Sequence, residues 1–356
     1  MILKLLSPKV LLNGKLCVLQ SLSVLFLLLK NLTFENFVVK IDIWFYLCYY
    51  NVIIDYNVEF KVKTKRVKIM KYVLYNPLSG HGDSCSIAKN FSESSCDSRL
   101  IDMTEIPSVK DFCVGLARED EIYLFGGDGT INRFVNALDG LEIENSVYYY
   151  PSGTGNDFCI DVDKKEVTEP FLLNGYIKNL PSVTVDGKRY RFINGVGYGI
   201  DGYCCQVGDA LKEKGKAPNY TAIAIKGLLF KFKPVNATVT VDGVKTEFKK
   251  VWIAPTMFGR HYGGGMIPTP EQDRYEEDGN LSLMVFHGSS KMRTLMIFPS
   301  IFKGEHVKNT KYVTVMKGKE ITVEFDRPTP LQIDGETLIG VTKYTAVAKS
   351  KVKTIV

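Results

Sequence analysis

Apolar and polar positions change period about halfway along the chain, and the change separates two kinds of structure. Glu121-Ile-Tyr-Leu-Phe125 is apolar and β-prone, the pattern of a buried strand. After it, Ile131, Phe134, Val135 and Leu138 recur at i, i+3, i+4 and i+7, the stripe of an amphipathic helix. Between them lie Gly126, Gly127 and Gly129 around Asp128, with Thr130 placed to cap the helix. Residues 71–75, 98–101 and 146–150 read as further strands, and 83–91 and 109–118 as helices. This alternation, running from Met70 to about Pro181, predicts a mostly parallel sheet.

From Ser182 onward the period is two. Residues 182–185 and 190–192 flank Asp186-Gly187, and 237–241 and 245–248 flank Asp242-Gly243, both hairpin signals. Residues 312–316 and 320–325 flank Lys317-Gly-Lys319 and predict a third hairpin. The expected fold class is α/β plus β. A Rossmann-like three-layer α/β domain spans 70–181, completed by 340–356, and an antiparallel β-sandwich spans 182–339. Residues 220–233 form an apolar, basic helix candidate, whose plain reading is core packing and whose alternative is a lipid-facing helix.

Composition narrows the partners. With 45% hydrophobic and 24% charged residues the chain is globular, and 356 residues suffice for two domains with real cores. A net charge of +6 is too modest to imply nucleic acid, but suits a nucleotide or an acidic lipid surface. The eight cysteines are scattered without zinc spacing, which reads as reduced thiols in a cytoplasmic protein.

The candidate chemistry lies in three loops, each following a strand: Asn76-Pro-Leu-Ser-Gly-His-Gly82, Gly126-Gly-Asp-Gly-Thr130 and Pro151-Ser-Gly-Thr-Gly-Asn-Asp157. In a parallel sheet they gather at the carboxyl edge, where open α/β sheets bind ligands. A glycine turn entering a helix points bare N–H groups at an anion, usually a phosphate. One such loop alone would be an ordinary βα turn; three on one edge point to a nucleotide site.

In this order and spacing, these motifs resemble the diacylglycerol kinase catalytic domain, a lipid-kinase family that includes sphingosine and ceramide kinases; the resemblance covers Met70 to the C-terminus. It implies an NAD kinase/diacylglycerol kinase-like fold and an enzyme dependent on ATP and Mg²⁺ that phosphorylates the hydroxyl of diacylglycerol or a similar lipid. It further implies that Gly126, Gly127, Asp128, Gly129, Thr130, Ile131 and Asn132, with Gly153, Thr154 and Asn156, hold the triphosphate. Asn76, Ser79 and Gly80 line the opposite wall, and Thr104 contacts nucleotide. Asp128 would meet the nucleotide-bound Mg²⁺ or, equally, cap its turn. In Leu331-Gln-Ile-Asp-Gly-Glu-Thr337, Glu336 would be the proton acceptor, with Asp334 beside the metal or phosphates. Asp278, with main-chain groups near Tyr275 and Asn280, would hold a structural Mg²⁺, unless the Asp-Gly turn carries no ligand. Asn194-Gly-Val-Gly-Tyr-Gly-Ile-Asp201 resembles the family segment that opens the second domain. One departure is Arg133, where the family often carries Glu; it would bind a phosphate or pair with an acidic residue. A soluble NAD kinase-like enzyme and an inactive nucleotide- or lipid-binding regulator are the alternatives.

Residues 1–69 differ from the rest. Leu16 to Leu29 is an apolar run between Lys15 and Lys30, short of the roughly 20 residues that span a bilayer. Lys61, Lys63, Lys65, Arg66, Lys68 and Lys71 follow as a basic collar. The segment is either an extension ahead of a natural start at Met70 or a membrane-associating anchor. The expected location is cytoplasmic, peripheral at the inner face of an anionic membrane. Oligomeric state is open, a homodimer being one alternative.

Overall fold

The computed structural model describes residues 9–12, 15–18 and 69–348, apart from 78, 80–82, 139 and 154. In the first compact unit, Met1–Arg66, β1 (Lys9–Leu12) and β2 (Lys15–Val18) pair antiparallel; the apolar run beyond Val18 and the basic collar up to Lys68 lie outside the described residues. Everything that follows concerns the second unit, Val67–Val356.

Its first half is the expected α/β structure. Strands β3 (Lys71–Tyr75), β4 (Ser98–Asp102), β5 (Glu121–Gly126) and β6 (Ser146–Pro151) form a parallel sheet in the order β4-β3-β5-β6, with the short antiparallel β7 (Phe171–Leu172) at the edge. Successive side chains of a strand face opposite sides. Ile122 and Leu124 therefore join Val109 and Cys113 of α2 (Val109–Val114) and Ile131, Phe134 and Val135 of α3 (Asp128–Ala137) in one core. Tyr123 and Phe125 join Ala88 and Phe91 of α1 (Asp83–Ser94) in another. Two apolar layers, one on each face, make this the three-layer arrangement. Helix α4 (Asp157–Asp161) follows β6, and α5 (Asn174–Ile177) follows β7.

The second half is antiparallel. Strands β8 (Ser182–Val185), β9 (Lys188–Arg191), β10 (Gly195–Tyr198), β11 (Val235–Val241), β12 (Val244–Val251), β13 (Thr256–Met257), β14 (Leu281–Phe286), β15 (Val313–Gly318), β16 (Glu320–Ile333) and β17 (Glu336–Val347) join one ladder. The main path runs β15-β14-β13-β10-β16-β17-β8-β9, with β11 and β12 branching from β16. The branch arises in the sequence of β16. Pro328 and Pro330 have no N–H to give the ladder, and the register shifts there. Before them β16 pairs with β11 (Val239↔Val323), and after them with β10 (Tyr198↔Leu331). The sheet thus folds on itself. Val239 and Phe248 from the branch share a buried core with Leu283 and Val285 from the other end, giving the sandwich-like closure.

Two expectations are corrected. The third hairpin does not form: β15 pairs with β14 (Leu283↔Met316), while β11 takes the free edge of β16. Lys319 and Glu320 give their N–H groups to the Asp242 carboxylate, which turns the chain away from β15. Residues 340–347 do not complete the α/β domain; they pair as β17 with β8 (Tyr344↔Val185).

Of the helices that follow, only the one within 220–233 is expected from the sequence pattern. Helix α6 (Ile200–Lys212) follows Gly199, whose φ of 113° only glycine adopts readily and whose Cβ would stand 2.6 Å from the Trp252 carbonyl. Helix α7 (Tyr220–Lys226) continues as a π-turn over Gly227–Lys231, and α8 (Lys291–Ile297) follows β14.

Candidate active site

Helix α3 begins at Asp128, two residues before the cap expected at Thr130, with Gly127 at its N-cap position. Thr130 lies inside the first turn: its N–H donates to the Gly127 carbonyl at 2.9 Å, and its buried hydroxyl accepts from Asn76 Nδ2 at 3.3 Å. Ile131 is a core residue, and its N–H also turns to Gly127 (3.4 Å). Asp128 accepts the N–H of Asp157 (2.8 Å) and of Phe158 (3.2 Å). Of its two sequence readings, metal ligand and cap, the geometry realises a cap, but on α4 rather than on its own turn. Burial pushes its carboxyl up to about 7, the nearby Asp157 charge adds to the rise, and the two N–H donors oppose it.

The glycine loops meet backbone to backbone. A Cβ on Gly153 would stand 2.4 Å from the Gly127 Cα, and one on Gly127 would stand 3.4 Å from Ser79 Oγ. Ser79 and Asn76 thus lie against the turn, beside Gly127 and Thr130. Gly80 and Thr154 lie outside the described residues. Asn156, at φ 50°, donates to the Gly153 carbonyl at 2.8 Å, and its buried Oδ1 has no partner among the described residues. Thr104 follows the end of edge strand β4, where its N–H and hydroxyl both donate to Asp102 Oδ1, the cap of a short turn.

Asp334 and Gly335, at φ 47° and 95°, form the two-residue turn from β16 to β17, with Ile333 paired to Glu336. The Asp334 carboxylate receives four N–H groups: Ile193 (2.6 Å), Asn194 (2.9 Å), Gly195 (3.0 Å) and Asn132 Nδ2 (2.8 Å). Burial raises its pKa, and these donors work against that rise. Asn132 also donates to the Arg191 carbonyl. The resemblance set Asn132 and Asp334 beside phosphates or metal; the structure shows them bonded to each other, tying α3 to the β half.

The turn delivers Glu336 to the glycine loop. Its Oε1 lies 3.7 Å from where a Cβ on Gly129 would stand. Arg133, one turn along α3, grips it with two bonds, Nε to Oε1 at 2.8 Å and Nη2 to Oε2 at 3.3 Å. Both side chains are about half exposed. The family departure thus pairs directly with the residue expected to accept the proton.

Sequence reasoning left three site residues unassigned. Asp157 accepts the N–H of Gly264 and of Gly265, each at 2.7 Å, anchoring the glycine-rich turn of 262–266 to α4. Its place in the Gly-Thr-Gly-Asn-Asp motif was the available signal. Asp161 pairs with Arg274, which stacks between Phe158 (5.0 Å) and Phe258 (5.4 Å). Burial would raise Asp161, but His261, Arg274 and the Arg260 N–H outweigh it and lower its pKa. No local pattern marked Arg274.

The residues present fit a nucleotide tail. The first-turn N–H groups of Asp128 and Gly129 have no acceptor among the described residues, and Gly129 presents bare backbone beneath Glu336. No group of three or more His, Cys, Asp or Glu that could hold a metal occurs among the described residues. A nucleotide-bound Mg²⁺ needs no such cage, since phosphates and water supply most of its ligands. At the turn expected to hold a structural metal, Asp278 and Tyr275 are exposed, Tyr275 N–H donates to Asp273, and the Asn280 carbonyl accepts from Gln272.

Comparison with known proteins agrees with this layout. Residues 71–178 match the diacylglycerol kinase catalytic domain, and 194–355 match the YegS C-terminal NAD kinase beta sandwich-like domain. A diacylglycerol kinase of Mycobacterium tuberculosis is 27% identical over 271 residues, covering 70% of this chain and 84% of that protein. A candidate lipid kinase of Staphylococcus epidermidis is 26% identical over 272 residues, covering 72% and 85%. A solved candidate diacylglycerol kinase from Bacillus anthracis superposes with a TM-score of 0.55 at 20% identity, over 81% of this chain and 95% of that one, and so shares the fold. With both halves matched in order, and with the Gly-Gly-Asp-Gly-Thr turn facing the Asp-Gly-Glu turn, the chain belongs to the diacylglycerol kinase catalytic domain family, phosphotransferases whose acceptor is an alcohol.

Proposed function

We propose that this protein is an ATP- and Mg²⁺-dependent lipid kinase that phosphorylates the hydroxyl of diacylglycerol or a similar lipid at the cytoplasmic membrane face. The observation that carries the reading is Glu336, whose Oε1 lies 3.7 Å from where a Cβ on Gly129 would stand. In the proposed reaction the acceptor hydroxyl gives its proton to Glu336 as its oxygen bonds to the γ-phosphorus. The bond from that phosphorus to the bridging oxygen breaks, and ADP leaves with the pair. The backbone of Gly127, Asp128 and Gly129 holds the phosphates, Asn76 and Ser79 wall them, and Gly153 and Asn156 close the far side. Asp128 is the carboxylate that would meet a nucleotide-bound Mg²⁺, which would supply neutralisation of phosphate charge. Asp334, Asn132 and Asp157 hold the two halves in register, so that Glu336 and the phosphates meet at one place. Arg133 orients the Glu336 carboxylate by bidentate pairing.

The test is label transfer from γ-labelled ATP to a panel of diacylglycerol, monoacylglycerol, ceramide and sphingoid bases, with NAD as a further acceptor. Labelled phosphatidic acid from diacylglycerol, or the corresponding phosphate of a related lipid, is the expected product. Label on NAD alone, or on no acceptor, contradicts the reading.

A further inference from the structure

A surface separate from the crevice has the chemistry of a bilayer contact. Segments 220–233 and 291–304 contain six cations, Lys226, Lys231, Lys233, Lys291, Arg293 and Lys303, and no Asp or Glu. Their inner sides share one core, in which Leu228 and Phe232 pack with Ile297 and Ile301. Lys291 Nζ bonds the Leu229 carbonyl at 2.8 Å, fixing α8 against the π-turn. Their outer sides carry large apolar residues open to solvent: Phe230 is 74% exposed, Met296 70% and Met292 65%, with Ile225 and Phe302 about half exposed. Soluble proteins seldom leave such a cluster uncovered unless it is used. The π-turn adds to this, since widening the helix there turns Phe230 outward while Leu228 and Phe232 stay buried, and π-bulges are frequent at functional sites.

We infer that this face, built from α7, its π-turn and α8, docks on an anionic lipid bilayer, with Phe230, Met292 and Met296 inserted among the acyl chains and the lysines and Arg293 at the headgroups. Charge selects the occupant. A second copy of the chain would set cations against cations, whereas an anionic bilayer satisfies the apolar and the basic groups together. The face is also connected to the crevice: Tyr220 of α7 packs on Gly208 of α6, and Asp209 of α6 accepts the Thr337 hydroxyl at 2.7 Å, next to Glu336. This role rests on the lipid-kinase reading for its purpose, but not for its test.

The full chain and a Phe230→Ser/Met296→Ser variant are sedimented with vesicles of pure phosphatidylcholine and of phosphatidylcholine with 40% phosphatidylglycerol (about that fraction, to give a strongly negative surface). The full chain is expected on the anionic vesicles, with the variant about tenfold or more weaker. Both substituted residues are exposed, so the fold is expected to be retained, which circular dichroism checks. Turnover of a short-chain diacylglycerol dissolved as monomers separates the two readings: it is unchanged in the variant, and its absence from the parent protein counts against the kinase assignment alone. Equal vesicle binding by parent and variant overturns the inference. So does failure of the parent to bind anionic vesicles, or a variant that changes only self-association.

Discussion

Arg133 departs from the pattern of the resembled family, and its effect should be kinetic rather than structural. A half-exposed ion pair contributes at most about 1 kcal/mol to stability. Fixing a carboxylate in line with the acceptor is worth more, because small misplacements in a catalytic group are costly. Arg133→Ala is therefore expected to lower kcat roughly tenfold or more while shifting the midpoint of unfolding little. Arg133→Lys should recover only part of the loss, since an ammonium cannot hold both oxygens. A large stability loss with unchanged kcat contradicts this positioning role. Asp128 acts in the opposite way. Its folded-state pKa, about 7, lies above the ordinary 3.8, so between those values the folded protein holds more protons than the unfolded chain. The contribution is thus fully present below pH 4, is lost as pH rises to 7, and is flat above. At ~1.4 kcal/mol per pH unit this could reach roughly 4 kcal/mol. Asp201, raised to about 6 mainly by burial, adds to the same slope. Denaturant unfolding at pH 5, 6 and 7.5 should show stability falling, and Asp128→Asn should flatten the fall. An equal slope in the variant would mean that Asp128 does not titrate there.

At the scale of elements, the glycine loops work by close approach. Gly153→Ala puts a methyl group 2.4 Å from the Gly127 Cα, a backbone atom with no room to yield. Isothermal titration with an ATP analogue is expected to show at least tenfold weaker binding. Gly175→Ala, whose Cβ meets nothing within 4 Å, should bind as before. These loops were legible because glycine and strand periodicity are local signals. The same holds for the hairpins at Asp186-Gly187 and Asp242-Gly243. The third hairpin was misread because strand pairing is decided by competition for edges. The Lys317-Gly-Lys319 pattern allowed a turn, but β14 and β11 outbid it for β15 and β16. Helix α6 hid behind a run of glycines that locally suggests a turn.

In the molecule as a whole, the site consists of contacts between distant stretches of chain. Asn132 meets Asp334, Arg133 meets Glu336, Asp157 meets Gly264 and Gly265, and Asp161 meets Arg274. Motif resemblance brought the right segments together, and the geometry adds that Asn132 and Asp334, expected at the ligand, also join the halves. A capping or bridging carboxylate and a metal ligand look alike in sequence; only the position of their N–H donors separates them. Arg274 shows the same limit, a lone arginine in sequence that proves to be stacked between two rings beside Asp161.

In the proposed reaction Glu336 and the glycine turn act together, the one on the acceptor and the other on the phosphates. The most direct test compares Glu336→Gln with the parent protein in two assays, lipid phosphorylation and ATP-analogue affinity. Removing a general base costs typically 10²–10⁴-fold in turnover, so the account predicts a loss of that size with affinity for the nucleotide held within about twofold. Turnover preserved in the variant, or lost only in step with nucleotide affinity, would contradict it.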